Sequence, residues 1–223
     1  MRIIFIHGLG ESESIFKNIA PAIGNEQLFL NVWDILGNEK HEGLNVFNFS
    51  KKIAEQYNIS SNDWVIGHSM GGWIAYYIKH HTGCRIIQIA SATNIMDRFI
   101  TPIRSGKIAY WLARNSLVFN NLRKWFEVRK YKGMPSQQIF AETFTSLVKG
   151  NKECVVSQLK IIYEPVPAID AEPDLRLHSL KDALLRPPKE PFYEIPGDHF
   201  ALITHPEEVI KPILERLKNQ SGA

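Results

Sequence analysis

Cysteine, net charge and long apolar runs are all scarce in this chain of 223 residues. Only Cys84 and Cys154 are present and no export signal precedes the first strand-like run, so we expect free thiols and a cytoplasmic protein, with one disulfide as the alternative. No stretch approaches 18 uninterrupted apolar residues, which argues against a membrane-spanning helix. A net charge of +3 is too small to indicate nucleic-acid binding.

Strand-like and helical patterns alternate along the chain. Strand candidates occupy 2–6, 28–33, the run before Gly67, 85–90, 174–178 and 191–195, and helical spacing occupies 48–57, 73–81 and 206–218. Strand, helix and strand in succession predict a parallel sheet with right-handed crossovers. Ligands of such sheets bind at the carboxyl ends of the strands.

The alternation of strand and helix patterns stops between Asp97 and about Leu159. Helical patterns occupy 108–113, 117–128, 136–147 and 152–159, which predicts a helical lid at 97–159 inserted into a core of residues 1–96 and 160–223. From Asp97 to Lys132 the lid carries nine basic and two acidic residues, a local charge of +7. This excess indicates either a solvated helix face or a docking surface for an acidic partner or anionic substrate.

A Gly-x-Ser-x-Gly motif at Gly67, Ser69 and Gly71 lies between a strand and a helix. This context predicts a tight turn that forces Ser69 into an unfavourable backbone conformation and exposes its hydroxyl. Side chains at either glycine would collide with the neighbouring strand and helix. Because the helix begins at the turn, its first amides face any oxyanion that forms beside Ser69.

The first strand ends at His7-Gly8-Leu9-Gly10. A backbone that turns through these glycines can aim the Leu9 amide at the same point as the Met70 amide, which makes a two-donor oxyanion hole. His7, Gly8 and His68 are candidate substrate contacts, although a histidine before a glycine pair is more often a structural hydrogen-bonding residue.

These motifs, in this order, resemble the α/β-hydrolase superfamily, and most closely its small lid-bearing serine carboxylesterases. The resemblance is carried by His7-Gly8-Leu9-Gly10, Gly67-His68-Ser69-Met70-Gly71-Gly72, Gly197-Asp198-His199-Phe200 and His205-Pro206-Glu207-Glu208-Val209. It implies an α/β fold with a mostly parallel sheet of about six strands, helices on both faces and a lid. The first two strands of the family are missing, because the oxyanion loop follows the first strand here.

The resemblance implies a Ser, then acid, then His triad. His199 is the expected base because it follows the last strand. Asp182 is the favoured acid after Leu177-His178-Ser179-Leu180-Lys181, with Ser179 where the family has glycine. Asp174 becomes the rival acid if 168–171 is the true strand.

The predicted protein is a serine hydrolase that cleaves a carboxylic ester or thioester through an acyl-enzyme. The substrate is a small molecule or an ester linked to an acyl carrier, and the mechanism requires no metal and no organic cofactor. The alternative is a lyase or ligand sensor with the same fold and little turnover. Acyl specificity and oligomeric state stay open.

Overall fold

The computed structural model describes residues 1–24 and 26–218, and its centre is a sheet of six strands. The strands are β1 (Arg2–Ile6), β2 (Glu26–Leu30), β3 (Trp64–His68), β4 (Arg85–Ile89), β5 (Leu175–His178) and β6 (Tyr193–Glu194). Their order is β2-β1-β3-β4-β5-β6, and every neighbouring pair is parallel. The predicted parallel six-stranded sheet is confirmed.

Helices lie between most of these strands and after the last one. They are α1 (Ala20–Ile23), α2 (Val32–Leu36), α3 (Val46–Gln56), α4 (Met70–Thr82), α5 (Ile95–Arg98), α6 (Gly106–Arg114), α7 (Asn121–Arg129), α8 (Gln137–Lys149), α9 (Lys152–Tyr163), α10 (Ala201–Thr204) and α11 (Pro206–Lys218), with a short 3₁₀ helix at Glu13–Phe16. No helix in the described residues is long and apolar enough to cross a membrane. Cys84 and Cys154 are free and buried.

The core lies on both faces of the sheet because successive strand residues point to opposite sides. Ile4 and Ile6 of β1 pack in the cluster that contains α3, α4 and α9 residues. Ile3 and Phe5 pack in the opposite cluster with residues of the 3₁₀ helix, α8 and α11. The predicted helices on both faces are therefore present.

The second strand and its continuation differ from the prediction. β2 ends at Leu30, and the predicted strand residues Val32 and Trp33 instead begin α2. Asn31 causes this change, since its side-chain oxygen accepts a hydrogen bond from the Trp33 amide at 3.0 Å and caps the helix.

Two other boundaries also differ. The helix predicted from residue 117 begins at Asn121, because Asn120 caps it through the Arg123 amide at 2.8 Å. β6 spans only two of the five predicted residues at the sheet edge, and Pro196 beyond it has no amide to donate to a strand partner.

Five helices, α5 to α9, lie between β4 and β5. The last of them, α9, runs to Tyr163, and its residues Ile161 and Ile162 are buried in the core cluster beside α4. The division into a core and a lid at 97–159 stays a prediction, and residues 219–223 of the predicted core lie outside the described residues.

Candidate active site

The turn after β3 holds Ser69 in a strained conformation. Its φ is 52° and its ψ is −120°, a region that residues with a side chain rarely adopt. The Ser69 amide donates to the Ile89 carbonyl at 3.0 Å, which ties the turn to β4. A Cβ atom at Gly67 would collide with the Gly71 backbone, and one at Gly71 would collide with the Ile6 carbonyl of β1. Both glycines are therefore required for this turn.

The two residues predicted to form the oxyanion hole, Leu9 and Met70, follow shortly after the ends of β1 and β3. Gly8 lies against the serine, since a Cβ atom built on it would lie 2.9 Å from Ser69 Cβ. The Gly8 amide donates to Glu11 Oε2 at 2.7 Å, and the Gly10 amide donates to Gln158 Oε1 at 3.1 Å. These bonds fix the loop on both sides of Leu9. Met70 is the first residue of α4, where amides lack partners within the helix.

His199 is joined to Asp182 in the protein interior. His199 Nδ1 lies 2.7 Å from Asp182 Oδ2, and both residues are buried. The other carboxylate oxygen, Oδ1, accepts from the amides of Leu184 at 2.8 Å and Leu185 at 2.9 Å. The orientation of Asp182 is therefore fixed by three donors.

The charges of this pair shift both pKa values. Burial acts to lower the pKa of His199, but the negative charge and hydrogen bond of Asp182, with Glu11 and Asp198, raise it above its ordinary value. Burial acts to raise the pKa of Asp182, but His199 and the backbone donors lower it. Each group thus favours the charged form of the other.

The rival acid Asp174 lies elsewhere in the fold. Its Oδ2 is 2.6 Å from Lys79 Nζ and accepts from the Ile86 amide at 2.8 Å. The chain at 168–171 is not a strand. His178 is closer to the pair, with Nε2 3.7 Å from Asp182 Oδ2. Burial lowers the pKa of His178, despite the charge of Asp182.

A buried glutamate that was not predicted from the sequence, Glu11, contacts both the loop after β1 and the end of β3. Besides accepting from the Gly8 amide, Glu11 Oε2 lies 2.8 Å from His68 Nδ1. His68 Nε2 lies 2.8 Å from the carbonyl of His199. Since a carbonyl only accepts, His68 Nε2 carries a proton and donates it to this carbonyl.

Neighbouring charges also affect Glu11. Burial acts to raise the pKa of its carboxyl, but His68, His199 and the Gly8 amide lower it. The only sequence signal was an acidic residue just after the strand-ending Gly8 to Gly10 turn. Its partner His68 is distant in the sequence, so the contact becomes visible only in the fold.

The substrate contacts predicted from the sequence were His7, Gly8 and His68. None of the three lines the cavity that Ser69 and His199 share. All three are buried. His7 Nε2 accepts from the Val32 amide at 2.9 Å, so its Nδ1 carries the proton and donates to the Gly8 carbonyl at 2.9 Å. Burial also lowers the pKa of His7. His7 therefore holds backbone segments together.

Glu11, His68 and His199 are also the described residues that could together hold a metal, because their ligand atoms lie within 4.8 Å of one another. His68 already has hydrogen-bonding partners at both ring nitrogens, and His199 Nδ1 faces Asp182. A metal bound by His68 would have to displace one of these contacts.

A cavity of about 440 Å³ opens over Ser69 and His199. Its wall is mostly apolar, with side chains such as Ile103, Phe119 and Phe144 from the chain between β4 and β5. Leu9 and Glu11 also line it, whereas Asp182 lies behind His199 and does not. The cavity can therefore admit an apolar group to a space that both Ser69 and His199 line.

Solved structures share this fold. An aryl esterase described as putative, from Burkholderia cenocepacia, matches with a TM-score of 0.69 at 13% identity, over 100% of this chain and 91% of that one. An enol-lactonase from Burkholderia xenovorans matches with a TM-score of 0.67 at 14% identity, over 97% and 91%. A thioesterase from the prodiginine pathway of Streptomyces coelicolor matches with a TM-score of 0.63 at 13% identity, over 97% and 90%.

No protein-family model and no curated protein sequence matches the chain. The similarity to the solved structures extends over nearly the whole length of both partners. The chain has the α/β-hydrolase fold, as its motifs predict.

Proposed function

We propose that this protein is a serine hydrolase that cleaves a carboxylic ester or thioester through an acyl-enzyme. The observation that carries the proposal is the buried His199 to Asp182 hydrogen bond, at 2.7 Å, in a site whose cavity is also lined by Ser69. Serine hydroxyls are neutral at pH 7 and need such a base to become effective nucleophiles.

In the first half of the reaction, Ser69 Oγ attacks the carbonyl carbon and His199 Nε2 accepts the hydroxyl proton. The resulting oxyanion accepts hydrogen bonds from the Leu9 and Met70 amides. The tetrahedral intermediate then expels the alcohol or thiol, which takes the proton from His199. Asp182 keeps the Nδ1 proton in place and stabilises the imidazolium.

In the second half, water attacks the acyl-enzyme and His199 accepts its proton. The intermediate releases the carboxylic acid, and His199 returns the proton to Ser69. We assign Glu11 and His68 a positioning role, because they connect the Gly8 amide, the end of β3 and the His199 carbonyl.

The mostly apolar cavity supports an apolar acyl or alcohol group as the bound part of the substrate. The solved neighbours include an aryl esterase described as putative, an enol-lactonase and a thioesterase, and these names support an ester or thioester substrate. Their low identity leaves the choice between ester and thioester to experiment.

The test is cleavage of short-chain aryl esters and thioesters by the wild-type protein and by Ser69→Ala. We expect hydrolysis by the wild type and a loss of at least about 10³-fold in the variant. An unchanged rate in the variant rejects Ser69 as nucleophile. A protein that turns over no ester in the panel, although a fluorophosphonate labels Ser69, supports the lyase or ligand sensor instead.

A further inference from the structure

Exposed apolar side chains and positive charge are concentrated in the same part of the chain, the segment 97–134. Eight large apolar side chains in it are exposed: Ile100, Ile108, Trp111, Leu117, Leu122, Trp125, Phe126 and Met134. Elsewhere in the described residues only Met1, Leu180 and Tyr193 share this property. The segment carries +7, so the rest of the chain is net −4. Exposed apolar groups at this density mark an interaction surface.

Helix α7 is the centre of this surface and has no buried residue. Leu122, Trp125 and Phe126 are exposed by 70%, 53% and 53%, and their helical spacing places them on one face with Arg129. The Arg129 guanidinium lies 4.6 Å from the Trp125 ring centroid. We define the outer face of α7 as these four residues.

The other sides of α7 are engaged with the protein. Arg123, Glu127 and Lys130 line the cavity, and both basic groups pair with Glu127, at 2.8 and 2.5 Å. Lys124 Nζ donates to Thr145 Oγ1 of α8 at 2.5 Å. These contacts hold α7 beside the cavity, and the residues of its outer face take no part in them.

We propose that the outer face of α7 docks the protein on an anionic lipid surface. Helices that lie in a membrane interface have this pattern, with Leu, Trp and Phe on one face and Lys and Arg around them. Tryptophan favours the headgroup level, and basic residues are attracted to anionic lipids. A fluid lipid layer accepts protruding side chains, whereas a folded partner such as an acidic acyl carrier needs complementary pockets.

Docking in this way places the cavity next to the lipid surface, since the same helix contributes to both. The proposal does not depend on the chemistry at Ser69, because lipid binding is measured without turnover. It concerns a helix that lies in the interface and does not span it.

The test is co-sedimentation of the protein with vesicles of phosphatidylcholine alone or mixed with anionic phosphatidylglycerol. We expect binding to the mixed vesicles that weakens as salt is raised. The triple variant Leu122→Ser, Trp125→Ser and Phe126→Ser should bind at least about tenfold more weakly. Neutralising Arg129 with Gln should weaken binding about fivefold.

Matched controls come from other parts of the surface. Tyr193→Ser removes an exposed aromatic side chain and Lys211→Gln an exposed charge outside the segment, and both should bind like the wild type. Equal thermal unfolding temperatures verify that the variants fold. In addition, quenching of tryptophan fluorescence by brominated lipid should fall in Trp125→Phe.

No binding to mixed vesicles, or equal binding by the triple variant, overturns the proposal. Binding to an acidic acyl carrier protein, lost in the triple variant and without any vesicle binding, also overturns it and assigns the surface to a protein partner.

Discussion

Replacing Asp182 by Asn tests the proposed triad through a change that conserves shape. In the protein, Asp182 Oδ1 accepts from the Leu184 and Leu185 amides, and Oδ2 faces His199 Nδ1. An asparagine must keep its oxygen towards the two backbone donors, so it presents its NH₂ group to His199. That group can only donate, which forces the histidine proton onto Nε2.

The magnitude follows from this tautomer change. A proton on Nε2 prevents His199 from accepting the Ser69 proton, and comparable changes in other triads lower kcat about 10⁴-fold. That factor corresponds to about 5.5 kcal/mol of transition-state stabilisation. Since Asp182 raises the pKa of His199, its replacement should also move the acidic limb of the residual activity to lower pH.

The assay is hydrolysis of a soluble aryl ester across a pH series, with Asp174→Asn as the matched control. The control removes a half-buried carboxylate that pairs with Lys79 instead of His199, and the kcat of this control should equal that of the wild type. A variant at position 182 that keeps more than about a tenth of wild-type kcat contradicts the reasoning, as does a larger loss in the control.

Three further outcomes follow from the site. The pKa of His199 is raised, so the kcat/KM of the wild type should reach half its maximum above about pH 6.5. The reason is that the base must be neutral to act and becomes protonated as pH falls. A midpoint below that value contradicts the assignment of His199 as the base. Glu11→Ala should lower kcat about 10²-fold with little change in KM, because His68 and the loop after β1 lose the contact that positions them. Glu11→Gln should lower kcat by a smaller factor. Equal changes in KM and kcat point to a different role for Glu11. Gly71→Ala should destabilise the fold by about 3 kcal/mol or more, measured by urea unfolding, since the new Cβ overlaps the Ile6 carbonyl; an unchanged midpoint refutes the steric argument.

Local patterns predicted the sheet and the serine turn because those features depend on neighbouring residues. Apolar runs separated by helical spacing indicate parallel strands, and Gly67 and Gly71 indicate a turn that excludes side chains. The chain order of Ser69, Asp182 and His199 then follows the family pattern. Asp182 meets His199 because β5 and β6 are parallel neighbours, so the residues after both strands lie on the same side of the sheet, the side on which β3 also ends.

Features that depend on distant contacts could not be predicted in the same way. Glu11 contacts His68 only because β1 and β3 are neighbours in the sheet. The sequence around either residue therefore does not predict the contact. The apolar residues of α7 have a pattern that a core helix would also have, and only the fold reveals that this face is exposed. Residues 28–33 have a strand-like pattern, but the side chain of Asn31 caps a helix that begins at the next residue. Strand propensity takes no account of such a side-chain cap.

The central claim is that the hydroxyl of Ser69 attacks the substrate, and active-site labelling tests it most directly. Treatment with a fluorophosphonate, followed by peptide mass spectrometry, should give one adduct per chain on Ser69 and abolish ester hydrolysis in proportion to labelling. A protein that hydrolyses esters while Ser69 remains unlabelled, or that keeps full activity once Ser69 is labelled, contradicts the account.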